Sequence, residues 1–334
     1  MSKLKEHAIA FYSALTVFVA VQATTAHSDV AARGDFAGLV KIGGDRKMYL
    51  ECRGTGSPTV VFVSGLKGSA EDWKISNNQS DPAVFGEVAK FARACAYDRP
   101  GTPVGEKPSR SDPVPQPTTA GDAVADLHAL LIAAREAGPY VLVGHSYGGL
   151  VARLYASTYP EDVSGLVLVD ALSEGLRDAE TPEQWTVQRK LMEGEIRESL
   201  ALYPALERID PDRSFDQVRA AQPLRPLPLV VLSADRAWGP QIPSMIAGGA
   251  LPADVPPNFG YVTDAAQKEA QGRLAELVPN AEHVANTNSG HEIQKEQPHI
   301  VLKAIRDVVE AVRIGSRRLL RLGRRRMRKR TKLR

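Results

Sequence analysis

With 334 residues, 43% of them hydrophobic, the chain has ample apolar material for one large α/β domain with an insertion, which excludes a chain too poor to build a core. No internal repeat is apparent, so a repeat array is excluded as well. The 42 basic and 39 acidic residues nearly cancel, but residues 313–334 hold twelve Lys or Arg and no acid, which leaves 30 basic against 39 acidic residues elsewhere: an acidic body with a strongly basic end.

In chain order, residues 1–26 read as an export signal or an N-terminal anchor. Lys3 and Lys5 form a basic start, Ala8 to Val21 is apolar apart from Ser13 and Thr16, and Ala23 and Ala26 suit cleavage. The apolar run is short for a spanning helix. Residues 27–35 are a polar lead-in. Phe36 to Ile42, Gly43-Gly44-Asp45 and Arg46 to Cys52 predict a β-hairpin with a glycine turn. Thr59 to Val63 predicts an apolar strand, ending in Ser64-Gly65-Leu66-Lys67-Gly68-Ser69. Pro82 to Phe91 predicts a helix, and Ala94 to Tyr97 a short strand before Asp98-Arg99-Pro100-Gly101. A proline-rich loop to Pro117 precedes a helix over Thr118 to Ala137. Further strands are expected at Tyr140–Val143, Gly165–Val169, Leu227–Leu232 and His283–Asn286. Residues 174–225 have helical patterning with many charges, and 240–259 are rich in Pro and Gly. Helices are expected over Asp264 to Leu277 and Pro298 to Val312, with residues 313–334 a basic, disordered tail. Strands alternating with helices imply a mainly parallel, doubly wound sheet whose ligands sit at the carboxyl ends of the strands.

The chain is organised around Gly144-His145-Ser146-Tyr147-Gly148. An apolar strand ends there and a helical pattern starts at once, so the turn must be tight and its neighbours must lack side chains. The serine hydroxyl is then exposed over a helix N-terminus, which favours developing negative charge.

This stretch resembles the nucleophile elbow of the α/β-hydrolase family. The resemblance runs from about Phe36 to Val312. It rests on the opening hairpin, Asp98-Arg99-Pro100-Gly101 after the fourth strand, the elbow after the fifth, and Gly290-His291 followed by Glu296 and Pro298. It implies an α/β-hydrolase domain over residues 27–312, with a helical cap at 174–225 inserted after the sixth strand. Ser146 would be the nucleophile and needs a base. Of seven histidines, His7 and His27 lie in or beside the targeting segment, His128 is in a helix, His145 is constrained by the elbow, His283 is in a strand and His299 begins the last helix. His291 lies in a loop behind Ser289-Gly290, where the family places its base. The acid stays open between Asp170, at the tip of the sixth strand, and Asp235, beyond the seventh, with a lean to Asp170 because it needs no register correction. The family most often uses the seventh-strand position. The resemblance further implies an oxyanion hole from the backbone N–H groups of Leu66 and Tyr147. It makes the strands of Cys52 and Cys95 neighbours, so a disulfide is expected in an exported protein.

No metal is expected, since no His/Cys/carboxylate cluster has ligand spacing, and no cofactor, since no Gly-rich phosphate loop is present. The expected activity is that of a serine esterase, a carboxylic ester hydrolase acting on a small-molecule acyl substrate through a Ser-His-Asp triad. The alternative is a ligand sensor on the same fold. The expected location is periplasmic or secreted, where nucleic acid is not an expected partner. The basic tail suits an anionic membrane surface.

Overall fold

The structure is a computed structural model that describes residues 34–78, 80–200 and 203–331, with side chains described except at 193–199 and 317–331. The expected export segment, residues 1–26, lies outside the described residues.

Eight strands form one sheet: β1 (Phe36–Gly43), β2 (Arg46–Arg53), β3 (Thr59–Val63), β4 (Ala94–Tyr97), β5 (Tyr140–His145), β6 (Val163–Val169), β7 (Leu229–Leu232) and β8 (Glu282–Val284). Their order is β1-β2-β4-β3-β5-β6-β7-β8. β1 and β2 pair antiparallel, as do β2 and β4, and every later pairing is parallel. The unbroken apolar runs of the central strands follow from this arrangement, because a parallel strand covered by helices is buried on both faces. Alternate residues feed two cores. Val61, Val63, Leu142, Leu166, Leu168 and Val231 enter one core, while Val60, Phe62, Val141, Val143, Val167 and Val169 enter the other.

The helices are α1 (Val84–Val88), α2 (Ala120–Ala133), α3 (Tyr147–Thr158), α4 (Glu174–Asp178), α5 (Pro182–Leu200), α6 (Pro211–Ala220), α7 (Ile242–Ala247), α8 (Phe259–Ala275), α9 (Ile293–Glu296) and α10 (Pro298–Thr331). α2, α3 and α8 cover the first core, while α1, α9 and α10 cover the second. α10 does so through Val301, Ala304, Ile305, Val308 and Val309, the spacing of one helical face. α2 starts at Ala120, two residues inside the expected Thr118 start, because Thr119 and Asp122 form a capping box there.

α4, α5 and α6 lie between β6 and β7, the place expected for the cap. The segment 206–210 is laced to the body by backbone bonds: Glu207 N–H to Gly101 O (3.1 Å), Thr118 N–H to Arg208 O (2.7 Å) and Asp210 N–H to Thr118 O (2.9 Å). Outside it, Leu191, Ile242, Leu251, Val255 and Phe259 form a third, small apolar cluster.

Most element ends differ from the sequence expectation by a few residues, as at α1 (Val84–Val88 against Pro82 to Phe91) and β8 (Glu282–Val284 against His283–Asn286), and three differences are larger. The Pro/Gly-rich segment 240–259 contains α7, and α8 starts at Phe259, not at Asp264. Apolar contacts of Ile242 and Phe259 in the third cluster explain both. α10 runs past Val312 to Thr331, where a disordered tail was expected from residue 313. No Pro interrupts residues 299–331, and Arg, Leu and Lys are good helix formers. The body also extends beyond Val312, because the Arg313 guanidinium donates to the carbonyls of Ser57 (2.9 Å) and Phe91 (2.7 Å).

Cys52 and Cys95 face each other in the β2–β4 register and form a disulfide of 2.07 Å, fully buried. Among the described residues, no helix is long and apolar enough to cross a membrane.

Candidate active site

β5 ends at His145 and α3 begins at Tyr147, so Ser146 alone makes the turn, with φ 52° and ψ −125°. A non-glycine residue held there costs about 1–3 kcal/mol, and only surrounding structure can hold it. The glycines permit the crowding that does so. A Cβ at Gly148 would lie 2.0 Å from the Val63 carbonyl oxygen, and one at Gly144 would lie 2.4 Å from that of Gly148. The serine backbone is tied on both sides: its N–H donates to Val169 O (3.1 Å), and its carbonyl accepts from Gly149 N–H and Leu172 N–H (both 2.9 Å). Within residues 140–150, Ser146 alone is not buried.

Asp170 follows β6 directly, with φ 38°. Its N–H donates to Leu232 O (2.7 Å), which sets the carboxylate at the carboxyl edge of the sheet. Oδ1 accepts from Ala234 N–H (3.1 Å) and Oδ2 from His291 Nδ1 (2.6 Å). Burial would push this carboxyl up, but the hydrogen bond from His291, the electrostatic attraction of that ring and the Ala234 N–H hold it below its ordinary value. An ionised carboxylate can only accept, so Nδ1 of His291 donates the proton in this bond. The ring is half-exposed although Asp170 is buried.

Asp235 takes a different place. Its N–H donates to Ser289 O (3.1 Å) and its Oδ1 accepts from Ser289 N–H (2.9 Å). It therefore pins the loop that carries His291, while Asp170 meets the ring itself. Glu296 supports the same loop, accepting from Gly290 N–H at 3.1 Å.

His145 also positions this loop. Its Nε2–H donates to the His291 carbonyl (3.0 Å), and the two rings lie 4.6 Å apart. Burial, reinforced by the neighbouring His291, pushes His145 down to about 3, so it stays neutral. The turn after β3 packs against the elbow: a Cβ at Gly65 would lie 2.9 Å from His145 Nδ1 and 3.1 Å from Ser146 Cβ. Leu66 follows Gly65 in this turn. Among the described residues, one trio of metal-ligating types comes together, Cys52, Cys95 and Glu136, and its two cysteines are joined to each other.

Sequence reasoning missed two residues here. Arg99 was a mark of resemblance without a role, and Glu207, 108 positions away, carried no signal at all; they form a buried ion pair of 2.9 Å beside the elbow.

A model of the Alpha/beta hydrolase family matches residues 60–304. The chain belongs to this family. It is 26% identical over 261 residues to an uncharacterized Bacillus subtilis protein, YqjL, covering 77% of this chain and 85% of that one. It is 30% identical over 154 residues to an uncharacterized protein of Schizosaccharomyces pombe, covering 40% of this chain but only 28% of the yeast protein's length. A thermophilic esterase from Thermogutta terrifontis shares the fold, with a TM-score of 0.54 at 20% identity over 83% of this chain and 99% of that one. Membership of this family supports a hydrolytic function.

Proposed function

We propose that the protein is a serine hydrolase cleaving a carboxylic ester or similar acyl compound through a Ser146–His291–Asp170 triad. The observation that carries the reading is the His291–Asp170 hydrogen bond of 2.6 Å, set on the loop that His145 ties to the strained Ser146 elbow.

In this mechanism Ser146 Oγ attacks the substrate carbonyl and its proton passes to His291 Nε2. Asp170, buried and ionised, fixes the tautomer and stabilises the imidazolium. The N–H groups of Leu66 and Tyr147 receive the oxyanion, aided by the N-terminal end of α3. His291 returns the proton to the departing alcohol. Water, activated by the same imidazole, then cleaves the acyl-enzyme and frees the acid. Asp235 serves as a structural partner of the loop.

Ser146→Ala tests this directly. Turnover of p-nitrophenyl esters should fall about 10⁴-fold or more, because triad members act as a unit. A fluorophosphonate should label the wild type at Ser146 and leave the variant unlabelled. Folded wild-type protein that resists the label and turns over no ester would make the fold a ligand-binding scaffold instead. The residue 1–26 segment and the buried disulfide support an exported location, tested by fractionation of the producing cell and mass analysis of the mature N-terminus.

A further inference from the structure

The Arg99–Glu207 pair is almost wholly buried, each residue 2% exposed. Four of its guanidinium contacts are spoken for. Nε and Nη2 donate to the two carboxylate oxygens of Glu207 at 2.9 and 3.1 Å. Nη1 donates to Ser64 O and Nη2 to Gly65 O, both at 2.6 Å. The same guanidinium lies 5.2 Å from the centre of the Tyr147 ring. A buried ion pair is weak support for stability, since apolar residues of similar volume commonly serve as well. What an apolar pair cannot do is hold two successive carbonyls in one orientation.

The second of those carbonyls matters most. A peptide group is planar and trans, so its C=O and N–H point in opposite directions. The Gly65 carbonyl and the Leu66 N–H belong to one such group. Gly65 on one side gives that peptide freedom to turn over, and the next peptide along leads into Lys67, which takes φ 64°. A second hydrogen bond to Gly65 O comes from within the same short turn, from Gly68 N–H at 3.0 Å.

We propose that Arg99, held by Glu207 of the cap-side segment, is a positioning residue that locks the Gly65–Leu66 peptide with its N–H turned toward the oxyanion, and so couples the cap segment to the oxyanion hole. This rests on the hydrolase reading of Ser146. Glu207 does two things in it: its carboxylate neutralises the guanidinium, and its backbone N–H docks on Gly101 O at 3.1 Å, which brings the segment and the Asp98-Arg99-Pro100-Gly101 turn together.

Two variants test it, against p-nitrophenyl acetate and an aryl trifluoromethyl ketone, which forms a tetrahedral adduct with a reactive serine. Arg99→Lys keeps the charge but cannot reach two carbonyls and a carboxylate in one plane. It should lower kcat about 10- to 100-fold, with KM within about threefold of the wild type, given that loss of one oxyanion donor costs about 10²- to 10³-fold. The ketone's Ki should rise by the factor by which kcat/KM falls. The acid limb of the pH profile should keep its midpoint, because His291 and Asp170 are untouched. The double variant Arg99→Met with Glu207→Leu removes both charges and fills the space. It should fold and show at least the same loss of kcat. A folded double variant with wild-type kcat, or a Ki that stays put while kcat falls, would overturn the proposal. Unfolding of both variants would also overturn it, by assigning the pair to stability. A wild type inert to ester and to fluorophosphonate would fail the hydrolase reading and this one with it, whereas a labelled, active wild type with indifferent variants would fail this one alone.

Discussion

Asp170 and Asp235 both sit at strand ends within reach of the His291 loop, and their hydrogen bonds separate them. Asp170→Asn should lower kcat roughly 10³- to 10⁴-fold, because an amide would favour the wrong imidazole tautomer. Asp235→Asn keeps an acceptor for the Ser289 N–H, so its cost should be a loop hydrogen bond, with kcat within about tenfold and a loss of about 1 kcal/mol in stability. Steady-state kinetics beside urea denaturation of the two variants check this. Equal small effects would remove Asp170 from the proposed triad. Glu180 offers a second measurement. It is 8% exposed, one carboxylate oxygen finds no partner among the described residues, and burial pushes it up to about 7. Below the ordinary carboxylate range both folded and unfolded chains carry its proton, and it contributes nothing. As pH rises toward 7 the unfolded chain ionises first, so stability falls, and above about 7 the whole penalty stands. Glu180→Gln should therefore gain about 2 kcal/mol on the wild type between pH 5 and pH 8, read as the pH dependence of the difference in urea midpoints. The elbow turn at Ser146 and the loop that carries His291 were legible in the sequence, because a tight strand-to-helix turn and a Ser-Gly step after the last strand each leave a local signature. The choice of acid was not, because a shift of one residue at a strand end changes which carboxylate meets the ring. Arg99 with Glu207 was less legible still, since only the fold brings them together.

The central strands announced themselves, because burial on both faces demands continuous apolar runs such as Thr59-Val60-Val61-Phe62-Val63. Helix ends were harder. α8 extends back to Phe259 because tertiary contacts with Ile242 stabilise its first turn, and no local cap marks that start: Asn258 makes no side-chain capping bond. α7 hides in a Pro/Gly-rich segment for a similar reason. The β2–β4 pairing was foreseen only through the family resemblance, and it carries the disulfide. Replacing both cysteines by Ala should lower stability by about 2–5 kcal/mol in chemical denaturation, with ester turnover well below the melting temperature retained. Unchanged stability would mean that the pairing of the strands, and not the bond, keeps them together.

At the scale of the molecule the charge is divided: twelve basic residues at 313–334 follow a body with 30 basic and 39 acidic residues. We propose that this end binds anionic membranes. Each basic residue near such a surface adds about 1 kcal/mol at most, and the attraction decays over a Debye length of about 8 Å at physiological salt. The structure changes where the cut should fall. Arg313 belongs to the body through Ser57 and Phe91, so a chain ending at Ser316 should keep full activity on soluble ester, whereas one ending at Val312 should lose some stability. The chain ending at Ser316 should sediment less than the full chain with phosphatidylserine vesicles at low salt, and the difference should fade at high salt. Equal sedimentation at low salt would leave the end as a solvated helix.

The Cys52–Cys95 bond also has a bearing on damage. The bridged residues stand 43 positions apart, and the stretch between them holds β3, the Gly65–Leu66 turn and α1. A protease that cuts once anywhere in that stretch divides the polypeptide without releasing either piece. The nicked molecule would keep its covalent connection and migrate as one species until a reductant reached the bond. The turn beside Ser146 could thus be severed in a preparation that looks whole on a non-reducing gel, and only reduction would expose the loss.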